Sequence, residues 1–280
     1  MYEILSNGEF IEIHVDKDEL DLDKTFNCGQ AFRWSKESSG EWVGILGNKI
    51  VVLKQIGSTI YTNLSEEYSD MIVQYLNLDM SYIDEVSKID LIDYERRAYY
   101  RAKGIHILRQ DLFETIVTFM MSSCNIMTNI RRIVNMLCEV YGEELTEYFN
   151  GDTYTLHAFP TLEKLSGVGA YEFRAFSMGF RANYLYDFCQ FLCENTDFLK
   201  DLKECSYKDC IKKLKRLNGI GDKVANCIAL FSLHHIEAFP IDTHINAIIQ
   251  QEYNGNIDLS RYNNIAGIMQ QYMFYYKAFS

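Results

Sequence analysis

Lys223 and Asp242 are the residues whose types and spacing could do covalent chemistry. Lys223 stands in the run Leu214-Lys215-Arg216-Leu217-Asn218-Gly219-Ile220-Gly221-Asp222-Lys223-Val224-Ala225-Asn226-Cys227. Cys210, Ile211, Leu214 and Leu217 give a first helix one apolar face, and Val224, Ile228 and Phe231 do the same for a second. The two helices meet at Gly219 and Gly221, a tight turn whose backbone N–H groups, with the second helix's N-terminus, can approach a phosphate closely. Lys223 falls in the first turn of that second helix. The positive end of the macrodipole disfavours an ammonium there, so the side chain can present a free amine nucleophile. Position alone leaves a phosphate-contacting or merely exposed lysine equally open. A second run, Leu165-Ser166-Gly167-Val168-Gly169, has the same glycine spacing but is followed by Ala170 and Tyr171, and reads as a simple helix connection.

Asp242 belongs to Ala238-Phe239-Pro240-Ile241-Asp242-Thr243-His244, an extended, proline-stiffened segment that leads into a helical pattern at Ile245, Ile248 and Ile249. The aspartate is placed to cap that helix, which alone would account for it. Held at a helix N-terminus, its carboxylate stays ionised and could also stabilise positive charge developing on a sugar. His244 is either a phosphate contact or an ordinary surface histidine.

The elements that must position these residues follow from periodicity. We expect an α+β chain: an N-terminal antiparallel β-sheet over residues 1–95, packed on a mostly helical part over 96–280 that contains the glycine hairpin at 206–233. Strands are expected through Trp42, Val43 and Ile45, then Ile50 to Leu53, then Ile60 and Tyr61, separated by turns at Gly47-Asn48 and Gly57-Ser58. Helical spacing takes over in Phe113, Ile116, Val117, Met120 and in Ile133, Val134, Leu137, Cys138. With 280 residues at 48% hydrophobic content, the chain can bury a sizeable core. No apolar run approaches a membrane span and the N-terminus lacks signal-peptide order, so a cytoplasmic or nuclear protein is expected. The eight cysteines show no paired C-x-x-C spacing, which favours reduced, mostly buried thiols over disulfides or zinc.

A net charge of −12 argues, taken alone, against a nucleic-acid partner. The charge is unevenly spread. Lys203, Lys208, Lys212, Lys213, Lys215, Arg216 and Lys223 face only Glu204, Asp209 and Asp222 in one run, and Arg97, Arg101 and Lys103 are interleaved with Tyr99 and Tyr100 in another. Solvated helix faces explain either run as well as a polyanion partner does.

The hairpin Leu-x-Gly-Ile-Gly-x-Lys-Val-Ala-x-Cys, with Asp242 nineteen residues after the lysine, resembles the helix-hairpin-helix DNA glycosylases of the 8-oxoguanine class. Phe26-Asn27-Cys28-Gly29-Gln30-Ala31-Phe32-Arg33-Trp34, Leu108-Arg109-Gln110-Asp111, Met121-Ser122-Ser123-Cys124-Asn125, Phe159-Pro160-Thr161-Leu162 and Gly179-Phe180-Arg181-Ala182 are similar to segments of that family in the same order. The resemblance runs over roughly residues 20–280 and implies a monomeric base-excision enzyme acting on duplex DNA that contains 8-oxoguanine. In that family the nucleotide is flipped out of the stack. Lys223 would then attack the sugar C1′ and expel the base to leave a Schiff base, from which β-elimination nicks the strand. The resemblance further implies that the Gly29 carbonyl accepts from N7–H of 8-oxoguanine. Cys227 and Phe274 would flank the base, and Gln270 would read its Watson–Crick edge. Gly219, Gly221, His244, Asn125, Phe180 and Arg181 would contact DNA.

Departures from the family carry expectations of their own. Cys124 stands where animal members place an asparagine that fills the gap left by the flipped base, and Asn129 where they place an arginine that reads the opposite cytosine. Phe180 replaces the usual tyrosine wedge, while Arg181 remains. Fewer donors aimed at the orphan base imply a relaxed preference for cytosine opposite the lesion. No cysteine follows Cys227, so an iron–sulfur cluster is not expected and no cofactor is required, although carbonyls of Gly219 to Gly221 could hold a monovalent cation. Two alternatives stay open at this level: an alkylpurine glycosylase of the same superfamily, and a non-catalytic helix-hairpin-helix module that clamps DNA.

Overall fold

The computed structural model describes residues 2–6 and 8–279. In chain order the strands are β1 (Tyr2–Ser6), β2 (Ile11–Val15), β3 (Ser35–Lys36), β4 (Trp42–Leu46), β5 (Lys49–Ile56), β6 (Thr59–Thr62), β7 (Glu144–Phe149) and β8 (Asp152–His157). The early helices are α1 (Leu22–Asn27), α2 (Ser69–Leu76), α3 (Tyr82–Ser87), α4 (Asp93–Ala102), α5 (Leu112–Met120), α6 (Met127–Tyr141), α7 (Leu162–Ser166) and α8 (Ala170–Arg174). The later ones are α9 (Arg181–Glu194), α10 (Phe198–Glu204), α11 (Tyr207–Leu214), α12 (Asp222–Phe231), α13 (Thr243–Glu252) and α14 (Ala266–Ala278). This is the expected α+β composition, with most of the antiparallel strands early in the chain and helices predominating after them.

The chain divides differently from a cut at residue 95. One compact unit comprises Met1–Ala31, Leu53–Arg109 and Ala229–Ser280, and the other Phe32–Val52 and Gln110–Ile228. The last third of the expected β segment is helical, as α2, α3 and the start of α4, because its apolar residues Ile72, Val73 and Leu76 recur at helical spacing.

In the first unit β1 pairs antiparallel with β2, β2 with β6, and β6 with the second half of β5. Ile11, Ile13 and Val15 alternate into the core, as a half-buried strand requires. The β5–β6 turn falls at Gly57, whose φ of +60° is the left-handed region open to glycine. α14 lies along α4 and also packs on α13. The bond between α4 and the C-terminal segment is polar at its centre. Glu95, 0% exposed, accepts at Oε1 from Tyr253 Oη at 2.7 Å and Tyr262 Oη at 2.6 Å. The Arg261 guanidinium lies 3.3 Å from the same oxygen, and Oε2 accepts from the Ile92 N–H at 2.9 Å. A buried carboxylate is tolerated because every side of it is met by a donor.

In the second unit β3 pairs with β4, and Trp34 packs so tightly on Gly44 that a Cβ there would fall within 2.5 Å of the indole. α9 gathers α5, α7 and α8. The β7–β8 hairpin lies within the stretch expected to be mostly helical. Its turn is Asn150-Gly151, both at positive φ (52° and 88°), and these are the residues a two-residue hairpin turn demands.

Replacing Glu95 with alanine should lower stability on the order of 3 kcal/mol, since two tyrosine hydroxyls and a guanidinium lose their common acceptor. A urea titration checks this, and Glu95→Gln should shift the midpoint far less.

Candidate active site

The second unit carries the lysine. α11 begins at Ser206, whose hydroxyl accepts from the Asp209 N–H, and it ends just before the hairpin. Gly219 has a φ of +86°, and a Cβ there would meet the Tyr184 ring at 2.4 Å. The fold therefore demands glycine at 219 on two counts. Gly221 is different: its φ is not in the left-handed region, and a Cβ would meet nothing within 4 Å. Nothing inside the protein asks for glycine there, whereas close approach of an external group to the turn would. The second glycine run, at Gly167 and Gly169, only links α7 to α8, as expected.

Lys223 lies in the first turn of α12 with a half-buried side chain. Nζ is 3.2 Å from Ser122 Oγ and 5.4 Å from the centre of the Phe119 ring. Ser122 Oγ donates its proton to the Phe119 carbonyl at 2.7 Å, so the lone pairs left on the oxygen are what face the amine. The carboxylate beside the lysine is engaged elsewhere, Asp222 pairing with Lys215 at 2.5 Å. Val224, Cys227 and Ile228 are buried, Cys227 with 4% exposure. Lys223 is thus a cation-capable group set among apolar neighbours, oriented by one hydroxyl and one aromatic face.

Arg181 turns inward. It is 7% exposed, and Nε donates to the Ser123 carbonyl at 2.7 Å and Nη1 to the Met178 carbonyl at 3.2 Å. Nη2 donates to the carbonyls of Ser123 and Cys124. The side chain expected to reach outward to DNA is therefore spent on holding the 121–125 turn. Four hydrogen bonds to three backbone carbonyls outweigh solvation of one guanidinium because its fork of donors is already pointed. Asn125 is also part of that turn: Nδ2 donates to the Met121 carbonyl at 3.0 Å, and Oδ1 accepts from Asn129 Nδ2 at 2.7 Å. Asn129 Oδ1 is held in turn by Arg132. Cys124 is exposed at φ +50°, and Phe180 is half exposed, its ring edge-on to Tyr184 at 5.6 Å.

The first unit carries the aspartate and the expected base-contacting groups. Asp242 caps α13, Oδ1 accepting from the Ile245 N–H at 2.8 Å, which leaves Oδ2 uncommitted by the cap. His244 is exposed and stands edge-on to Phe274 at 5.7 Å. Gln270 lies on α14 and is 4% exposed. Its Nε2 donates to the Pro240 carbonyl at 3.1 Å, and its Oε1 is buried without a partner. These two contacts join the Asp242 segment to α14, so Asp242, His244, Gln270 and Phe274 form one group. Gly29 follows α1 at φ +84°. Two residues the sequence reading passed over belong here: Ser122, which orients Lys223, and Gln271, which donates to the Cys28 carbonyl at 2.7 Å. Ser122 lies in the family-like segment Met121 to Asn125 without being singled out there, and Gln271 stands in no motif, so neither contact had a local signal.

Five of the eight cysteines are buried, and burial pushes the Cys28 thiol up to about 12. Among the described residues no three His, Cys, Asp or Glu side chains are placed to share a metal ion, and no helix is long and apolar enough to cross a membrane.

Residues 12–116 match the family model described as 8-oxoguanine DNA glycosylase, N-terminal domain. The N-glycosylase/DNA lyase OGG1 of Arabidopsis thaliana is 32% identical over 241 residues, which cover 81% of this chain and 64% of that protein. The chain thus spans a little under two thirds of that relative's length. The 8-oxoguanine glycosylase/lyase of Clostridium acetobutylicum in its apo form is 30% identical, with a TM-score of 0.87 over 99% of this chain and 98% of that one. MBOgg1 in complex with a low affinity DNA ligand is 27% identical, with a TM-score of 0.91 over 99% and 98%.

The two hairpin glycines should separate cleanly in a thermal or urea unfolding experiment. Gly219→Ala should cost on the order of 1–3 kcal/mol, from positive φ and the Tyr184 clash together. Gly221→Ala should stay within about 0.5 kcal/mol of the parent.

Proposed function

The chain belongs to the 8-oxoguanine DNA glycosylase family, and we propose that it excises 8-oxoguanine from duplex DNA with Lys223 as nucleophile and then nicks the strand as an AP lyase. The observation that carries this is the setting of Lys223: a lysine at the start of a hairpin helix, among buried apolar residues, with its amine aimed by a hydroxyl whose own proton is committed to a backbone carbonyl.

In the proposed reaction the neutral amine attacks C1′ of the flipped nucleotide. The N-glycosidic electron pair leaves with the base, which takes up a proton. Loss of the amine proton and opening of the ring C1′–O4′ bond, with protonation of O4′, leave a protonated Schiff base between Nζ and C1′. That cation acidifies C2′–H; removal of the proton expels the 3′ phosphate, giving β-elimination. Asp242 supplies a fixed negative charge against the positive charge that develops on the sugar, using the oxygen its cap leaves uncommitted.

Base selection rests on the Gly29 carbonyl, which accepts from N7–H of 8-oxoguanine and faces a lone pair in normal guanine. An unmet buried acceptor costs on the order of 1–3 kcal/mol, so this contact discriminates usefully but not alone. Gln270 reads the Watson–Crick edge; its Oε1, buried without a partner, suits an amide that awaits a donor from a base. Cys227 and Phe274 flank the ring. Gly221 and the hairpin N–H groups take the phosphate backbone, with His244 as a further phosphate contact. Such a substrate places the chain where duplex DNA is kept, in the cytoplasm of a cell without a nucleus or in the nucleus.

Borohydride trapping on an 8-oxoguanine duplex tests the reading. A covalent adduct is expected with the parent chain and none with Lys223→Gln. Release of alkylpurines without an adduct would favour an alkylpurine glycosylase, and binding without release of any base would favour a non-catalytic clamp.

Opposite-base preference should be weak. Cys124 offers no amide, Asn129 is tied to Asn125 and Arg132, and the Arg181 guanidinium is satisfied internally. Excision rates opposite the four bases should agree to within about tenfold, since one bidentate base contact would separate them by more. A hundredfold preference for cytosine would sink this.

A further inference from the structure

Helix α14 presents two glutamines in succession. Gln270 faces the Pro240 segment, and Gln271 faces the loop after α1. Gln271 is 2% exposed, and its Nε2 donates to the Cys28 carbonyl at 2.7 Å across 243 residues of sequence. The next residue is Gly29, at φ +84°. The one after it, Gln30, is 0% exposed, and its amide is spent on the main chain: Nε2 donates to the carbonyls of Thr25 at 3.0 Å and His106 at 2.7 Å, and Oε1 accepts from the Leu108 N–H at 2.9 Å. The Cys28 thiol, held neutral by burial, donates to the Thr25 carbonyl at 3.1 Å.

Gly29 therefore sits between an anchored carbonyl and an anchored side chain, while no described residue bonds to its own carbonyl. Glycine is the residue whose backbone swings most freely, so a glycine carbonyl that must meet one donor needs its neighbours fixed. Hydrogen bonds weaken steeply off line. A planar peptide passes rotation of the Cys28 carbonyl directly to the Gly29 nitrogen, and so to the direction in which the Gly29 carbonyl points.

We infer that Gln271 is a positioning residue for base selection: it aims the Gly29 carbonyl by holding the Cys28 carbonyl. The inference rests on the proposed role of Gly29. Because Gln271 adjoins Gln270 and lies one turn from Phe274, α14 carries as one rigid body the aim of the N7–H acceptor and the groups that meet the rest of the base. A change in α14 then alters recognition of the base as a whole.

The experiment compares Gln271→Leu and Gln271→Glu with the parent in two single-turnover reactions. One is excision from an 8-oxoguanine duplex; the other is cleavage at a preformed abasic site, which has a sugar for Lys223 but no base to recognise. Leucine keeps the volume and removes the donor, and an ionised glutamate reverses its polarity. Excision should fall by about ten- to a hundredfold in both variants, the range expected when a buried hydrogen bond is misaimed. Abasic-site cleavage should stay within about twofold of the parent. Equal loss of both activities would make Gln271 a general support of the fold and overturn the inference, as would unchanged excision in both variants. Failure of the parent chain to excise 8-oxoguanine or to trap on borohydride would instead overturn the proposed function, and this inference with it.

Discussion

The side chain of Lys223 is a flexible four-carbon stem that must be held in one place, and several contacts of the second unit converge on that constraint. Ordering such a side chain costs on the order of 2 kcal/mol of rotamer freedom, which the contact with Ser122 and the face of Phe119 must offset. Ser122 is where it is because the 121–125 turn is closed by Arg181, and Gly219 can turn because Tyr184 fills the space a Cβ would need. Arg181 and Tyr184 are one turn apart on α9. One helix thus fixes the lysine from both sides, through the loop it rests on and through the hairpin it grows from.

In the first unit α14 has the corresponding place. It is buried against α4 on one side, and the Glu95 cluster fixes that packing. With its position set, its side chains can hold two backbone segments by their carbonyls, Pro240 through Gln270 and Cys28 through Gln271. Both are neutral amide bonds in buried surroundings, where a lost partner costs more than the bond itself contributes. That asymmetry makes the geometry sharp without any ion pair.

The net charge of the chain weighs little against a polyanionic partner, because part of the basic run near the hairpin is already paired within the chain. Lys213 lies 3.6 Å from Asp201 and Lys215 2.5 Å from Asp222, so two of the basic residues that stood out in the sequence are already neutralised. Backbone N–H groups at the start of a helix carry partial positive charge that net charge does not count. A grip built on them is less dependent on the sum over the surface.

Much of this was legible in the residues themselves. Helical and strand periods, the glycine hairpin and the cap at Asp242 are local properties, set by neighbours within one or two turns, and they carried the α+β class. The Asn150-Gly151 hairpin was equally local, though helical expectation overrode it. What sequence could not decide was set by contacts between distant segments. Arg181 looked like an outward donor until the 121–125 carbonyls were found to consume it. The burial of Gln270 on α14, and the contacts that Ser122 and Gln271 make, showed in no local pattern. The chain also divides into units interleaved along its length rather than cut at one point. Side-chain hydrogen bonds across 58, 101 and 243 residues follow no period, so only the folded chain shows which polar groups are already satisfied and which remain free to meet a substrate.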